Sequence, residues 1–231
     1  MTLDLIFLQA AVNLPDAAAP HNATIAETLM HQLQSGWYIY VPQIIMSILS
    51  VYIIFDRWMA TKNALKSEAN FIGRIKEYIY AGKLDNAKDL AKNVNTPEGV
   101  IILKGLNRLG KPVNDIKKAI EQSGKQEVAK LEKNVIVLAT VAGVAPVFGF
   151  LGTVFGVITI FKDIAEAGSL QISTVSEGLY LKMISSAVGL IVFMIAHIGY
   201  NIMISRINRV VNKMEASALE FIDILEEPTN R

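Results

Sequence analysis

Cysteine is absent from this chain. That excludes a disulfide framework and any thiolate metal site. Charge is scarce: Asp, Glu, Lys and Arg make up 19% of the 231 residues, where a soluble domain carries about 25%. Charge is also missing in blocks. Residues 37–55 (WYIYVPQIIMSILSVYIIF), 135–161 (VIVLATVAGVAPVFGFLGTVFGVITIF) and 183–204 (MISSAVGLIVFMIAHIGYNIMI) contain none of the four. About 20 apolar residues cross the hydrocarbon core of a bilayer as a helix, so each run is long enough. Buried helices of a soluble domain are the alternative, and three such runs in one small chain argue against it. No segment alternates with the period of a strand, and there is no internal repeat and no Ser- or Pro-rich linker. No nucleotide-binding loop, metal-ligand cluster or Ser/His/Asp arrangement stands out. The expectation is an all-α integral membrane protein with three transmembrane helices, not an enzyme, with no cofactor and no metal.

Positive charge is distributed with equal bias. The segment before the first run has no Lys or Arg, and only Lys162 lies between the second run and residue 174. Sixteen lie between the first and second runs, from Arg57 to Lys133, and Arg206, Arg209, Lys213 and Arg231 follow the third. Lys and Arg concentrate in cytoplasmic loops near membrane ends. The reading is an N-terminus and a short link outside, with the middle segment and the C-terminus in the cytoplasm. Acidic residues balance the basic middle segment, so nucleic acid is not an expected partner; its lysines face solvent and anionic lipid heads. The start, MTLDLIFLQAAVNLPDAAAPHN, lacks the positive region of a signal peptide. It is expected to stay uncleaved, or to lie as an interfacial helix on the outer face.

The resulting plan has a periplasmic segment at 1–36 and a first span at 37–56. A cytoplasmic helical region follows at 57–112, then a long helix with the second span at 113–163. A periplasmic link occupies 164–173, and a long helix with the third span and a cytoplasmic extension occupies 174–227. Within 57–112, Phe71, Ile75, Ile79, Leu84, Ala87 and Leu90 recur at helical intervals, with Gly82 as a break. Thr96 and Pro97 read as N-cap and first residue of a further helix. From Pro112 onward no strong stop precedes the second span, so one helix of about 75 Å is expected at about 1.5 Å per residue. Beyond the third span, Ile207, Val210, Val211, Met214, Ala218, Phe221, Ile222 and Leu225 form an apolar stripe. The small helices are expected to pack around the cytoplasmic halves of the two long ones.

The second span carries a face of small residues: Ala142, Ala145, Gly149, Gly152, Thr153 and Gly156. Such faces let backbones approach closely in lipid. Pro146 removes one backbone hydrogen bond and is expected to kink the helix. The third span matches it with Gly178, Ser185, Gly189, Ala196 and Gly199. Lys182, Ser186 and His197 fall near one azimuth, and an intramembrane Lys or His is a functional candidate. Each has a plainer reading. Thr153 can bond the carbonyl one turn back, Lys182 can snorkel to the outer surface, and His197 can sit as a neutral, hydrogen-bonded imidazole.

LEKNVIVLATVAGVAPVFGFLGTVFGVITIF resembles the signature of the MotA/TolQ/ExbB proton-channel family, whose core reads approximately L-A-T-x-A-x-x-A-P-x-x-G-L-L-G-T-V-x-G-M. SSAVGLIVFMIAHIGYN is similar to that family's next helix, T-A-x-G-L-x-V-x-I-x-A-x-x-x-Y-N. The resemblance covers about residues 36–225. Three spans, an outside N-terminus and a large inner loop agree with the ExbB/TolQ branch, and the length and the stretch GLYLKMISSA look closest to its ExbB-like members. It implies a homopentamer whose second and third spans line a pore, around single-span helices of an ExbD-like partner. It further implies work on a TonB-like protein, driven by the proton motive force. Thr153 matches one pore threonine and Ser186 the other, which keeps the hydroxyl. The glutamate often found five residues before the second is replaced here by Leu181. Glu177, one turn earlier, or Lys182, beside it, is the substitute the resemblance suggests, and Gly149, Gly152, Gly156 and Gly189 are expected to pack the helices. A TolQ-like role in envelope integrity and a non-conducting membrane scaffold are the competing readings.

Overall fold

In the computed structural model, residues 37–66, 70–168 and 172–226 are described. The start, expected to stay uncleaved or to lie as an interfacial helix, and the rest of 1–36 lie outside them, as does 169–171 of the expected link. Seven helices run through the described residues: α1 Trp37–Ala64, α2 Phe71–Tyr80, α3 Leu84–Asn93, α4 Pro97–Leu106, α5 Val113–Glu132, α6 Val135–Ala167 and α7 Ile172–Glu226. No strand occurs among them. α1, α6 and α7 are each long and apolar enough to cross a membrane. The chain is thus an all-α membrane protein. α7 has 55 residues, against about 20 needed for a crossing.

The helix expected from 113 to 163 is two helices. α5 ends at Glu132; Lys133 is extended (φ −50°, ψ 129°) and Asn134 takes a left-handed conformation at φ 64°. Asparagine tolerates that region better than other side-chain-bearing residues, so the stop needs neither Gly nor Pro. Arg57 Nη1 donates to the Lys130 carbonyl at 3.0 Å, satisfying one of the carbonyls a helix end leaves free. α6 in turn runs on to Ala167, past 163, until Gly168 at φ 66°. It passes through Pro146 without a break.

The chain divides into two units. One contains α1 from Ile48, α2 to α5, α6 as far as Val141, and α7 from Ile195. Its core holds Ile75, Ile101, Ile102, Leu106, Leu138, Met203, Ile207, Val210 and Phe221, all nearly inaccessible. α2 packs on α3, α3 on α4 and α4 on α5. Thr96 caps α4 by accepting from the Gly99 N–H at 3.3 Å, and Pro97 follows it. A Cβ on Gly105 would lie 2.7 Å from the Phe221 ring and 2.9 Å from Ile120 Cδ1, so that glycine lets α4, α5 and α7 meet. Arg206 stacks over the Trp58 ring at 3.4 Å. The buried seam of α7 is Ile207, Val210, Met214, Ser217, Phe221 and Ile224. Ser217 and Ile224 therefore join the expected stripe, while Val211, Ala218, Ile222 and Leu225 flank it half-buried. Ser217 is tolerated because it donates to Glu98 at 2.6 Å. Leu84, expected inside, is exposed at the start of α3.

The other unit contains α1 up to Ser47, α6 from Ala142, and α7 up to Met194. Tyr38 meets Phe155 edge to face, with ring centroids 6.4 Å apart. Here the small-residue faces of the two spans come together.

Candidate functional site

The site is a seam between α6 and α7. A Cβ on Gly149 would lie 3.0 Å from Ser186 Cα and 3.1 Å from the Ser185 carbonyl. One on Gly152 would lie 2.9 Å from Ser185 Cβ and would collide with its hydroxyl. One on Gly156 would overlap the stem of Lys182. From the facing side, a Cβ on Gly189 would lie 2.7 Å from the Ala145 carbonyl and 3.1 Å from Gly149 Cα. Gly149 and Gly189 thus bring backbone against backbone, and Gly152 and Gly156 make room for the Ser185 and Lys182 side chains, the close approach that packing-driven association in lipid favours. Ser185, 2% exposed, sits at the centre. Its hydroxyl donates to the Lys182 carbonyl at 2.7 Å and lies 3.5 Å from the Gly149 carbonyl.

Thr153 is half-buried, and its hydroxyl donates to the Phe150 carbonyl at 2.7 Å. That is the backbone-bonded arrangement. It occupies the hydroxyl proton and leaves the oxygen's lone pairs able to accept from water or from a protonated carboxyl. Ser186 lies with its backbone against Gly149, half-buried. Lys182 lays its aliphatic stem over Gly156, which buries the carbons and leaves the ammonium at the end of a flexible chain. Glu177 lies in α7, but its side chain, like that of Leu181, is outside the described residues. His197 belongs to the other unit, where its carbonyl accepts from Asn201 at 2.9 Å.

A third helix takes part, which sequence reasoning missed. Gln43 of α1 is fully buried, and its Nε2 donates to the Ser185 carbonyl at 3.3 Å. Tyr40, one turn earlier, hydrogen-bonds the Ser185 side chain. The one signal in the sequence was a glutamine inside an otherwise apolar run, beside Pro42. No group of three or more His, Cys, Asp or Glu among the described residues could hold a metal. The seam offers hydroxyls, an amide and one amine. Hydroxyls and an amide can donate to and accept from water or a carboxyl group.

These features define a helical membrane protein with a hydroxyl-bearing contact between two spans. A sequence profile of the MotA/TolQ/ExbB proton channel family matches residues 93–216. The chain is 30% identical over 199 residues to the Tol-Pal system protein TolQ of Haemophilus influenzae, covering 77% of this chain and 81% of that one. It is 28% identical to TolQ of Pseudomonas aeruginosa, covering 78% and 82%. It is 35% identical over 95 residues to the biopolymer transport protein ExbB of Aquifex aeolicus, covering 41% and 64%. The chain belongs to the MotA/TolQ/ExbB proton channel family.

Proposed function

We propose that this chain is an ExbB-like stator and channel subunit of a bacterial inner membrane. In this reading five copies surround the single-span helices of an ExbD-like partner. Protons moving down the proton motive force drive motion that a TonB-like protein passes to outer-membrane transporters. The observation that carries the reading is the α6–α7 seam, where Thr153 and Ser186, the family's two hydroxyl positions, lie on spans held together by glycine. One elementary charge falling through 100 mV releases about 2.3 kcal/mol, enough to do work when several are coupled. The seam has no carboxylate among its described side chains. The titrating group is then a partner's aspartate or Glu177, with Lys182 placed to pair with the former. The test is Thr153→Ala and Ser186→Ala in a strain that depends on energised uptake. Both are expected to abolish uptake while the complex still co-purifies at normal mass with its partner. Normal uptake in both removes these hydroxyls from the pathway, and no proton flux through the purified wild-type complex leaves the scaffold reading.

The breadth of the match to two TolQ proteins, about four fifths of each, favours a second reading: a subunit of a Tol-Pal motor. Deletion separates the two. Loss of energised uptake with an intact envelope supports the ExbB role, and detergent sensitivity with normal uptake supports the TolQ role.

A further inference from the structure

Gln43 has a partner at only one end of its amide. Its Nε2 donates to the Ser185 carbonyl at 3.3 Å. In a helix that carbonyl already accepts from the N–H one turn on, here Gly189. Gly189 has no Cβ, and one built there would lie 3.1 Å from Gln43 Nε2. The glycine thus opens the Ser185 carbonyl to a second donor arriving from α1. The other end of the amide is different. Gln43 Oε1 is buried and has no hydrogen-bond partner among the described residues. Exchanging the two ends does not help, since it sets oxygen against oxygen and strands an NH2 group instead. A hydrogen bond between spans that serves only to hold them together accounts for Nε2 and not for Oε1. Lipid supplies no donor, and a bare amide oxygen in an apolar interior is costly. Water is the donor that fits: it is small, and it occupies buried places where polar groups converge. Ser185, whose carbonyl Gln43 holds, also carries a hydroxyl that Tyr40, one turn before Gln43, bonds.

We propose that Gln43 is a positioning residue of the ion pathway. Through Oε1 it binds a water molecule inside the membrane. Through Nε2 it fixes the turn of α7 that carries Ser185 and Ser186. The proposal rests on the ion-conducting reading above and extends it, because it gives the first span a part in conduction.

Two measurements test it. The first is solid-state NMR on the full-length protein in lipid vesicles, following transfer of magnetisation from water. The Gln43 side-chain amide is expected to gain signal as fast as that of exposed Gln122. A build-up as slow as at Ile45, exposed within the first span, overturns the water site. The second is proton flux per assembled complex in wild type, Gln43→Leu and Gln43→Glu. Gln43→Leu is expected to lower flux about tenfold, the rate equivalent of one lost buried hydrogen bond. Gln43→Glu is expected to conduct at acid pH, where its O–H donates to the Ser185 carbonyl. Its flux falls as the pH rises and the carboxylate forms, while wild type keeps its own profile. Equal flux in all three at every pH overturns the positioning role. If wild type itself passes no protons, the ion-conducting reading fails, and the NMR comparison still decides the water site.

Discussion

Glu98 shows what a single carboxylate can do when its surroundings are fixed. Its side chain is 6% exposed and sits in the first turn of α4, where the positive end of the helix dipole favours an anion. Lys213 of α7 pairs with it at 2.5 Å, and Ser217, one turn on, donates to it at 2.6 Å. Lys213 also reaches the Lys66 carbonyl, 3.4 Å away, just beyond the end of α1. Three elements of one unit therefore converge on one buried charge. Removing one partner of a buried pair leaves the other charge uncompensated. Lys213→Met is thus expected to cost about 3 kcal/mol of stability, and Ser217→Ala about 1–2 kcal/mol. Glu98→Gln placed on top of Lys213→Met removes the stranded charge and keeps an acceptor for Ser217. The double variant is expected to recover most of the loss. Thermal unfolding in detergent measures all three, and a double variant no better than Lys213→Met alone contradicts the account.

At the scale of elements, the sequence carried the apolar runs and the Thr96–Pro97 start of α4 in full. Those signals are local: length, composition, a cap. It also indicated the glycine faces, because small residues at three- and four-residue steps have few other uses in lipid. What it did not reveal was the third helix that joins the contact between those faces. Gln43 reaches Ser185 across 142 positions of chain, and no periodicity within α1 foretells that contact. The α5–α6 break was missed for another reason. The run EKN has neither Gly nor Pro, and the stop depends on one asparagine at φ 64°. That conformation costs a residue with a Cβ roughly 1–2 kcal/mol, less for asparagine, and nothing for glycine. Asn134→Gly is expected to leave the melting temperature unchanged or slightly higher. Asn134→Val, β-branched and strained at positive φ, is expected to lose about 1–2 kcal/mol. If Asn134→Val melts like wild type, the break is not a fixed feature of the fold.

Direction across the membrane is a property of the whole molecule, and the missing cysteines provide the means to test it. Each span exposes large apolar side chains: Ile45, Ile48 and Phe55 on α1, Phe150, Ile158 and Phe161 on α6, and Leu190, Ile191 and Met194 on α7. Lipid or neighbouring subunits must cover them, which fixes the spans in the bilayer and leaves their orientation to charge. Sixteen basic residues lie between the first two spans, against none before the first, so the positive-inside rule predicts a cytoplasmic location for that segment. A chain without cysteine accepts a single reporter with no background. Asn86→Cys on α3 and Ala165→Cys near the end of α6 both replace exposed residues. A membrane-impermeant maleimide added to spheroplasts is expected to label Ala165→Cys and to spare Asn86→Cys. Inverted vesicles are expected to give the opposite pattern, and permeabilised cells label both. Labelling of Asn86→Cys from outside would reverse the topology. The short link between the second and third spans would then face the cytoplasm, and the basic helical segment would lie outside. The stator reading cannot survive that result, since the helices around Glu98 would no longer stand on the cytoplasmic side of the proton gradient.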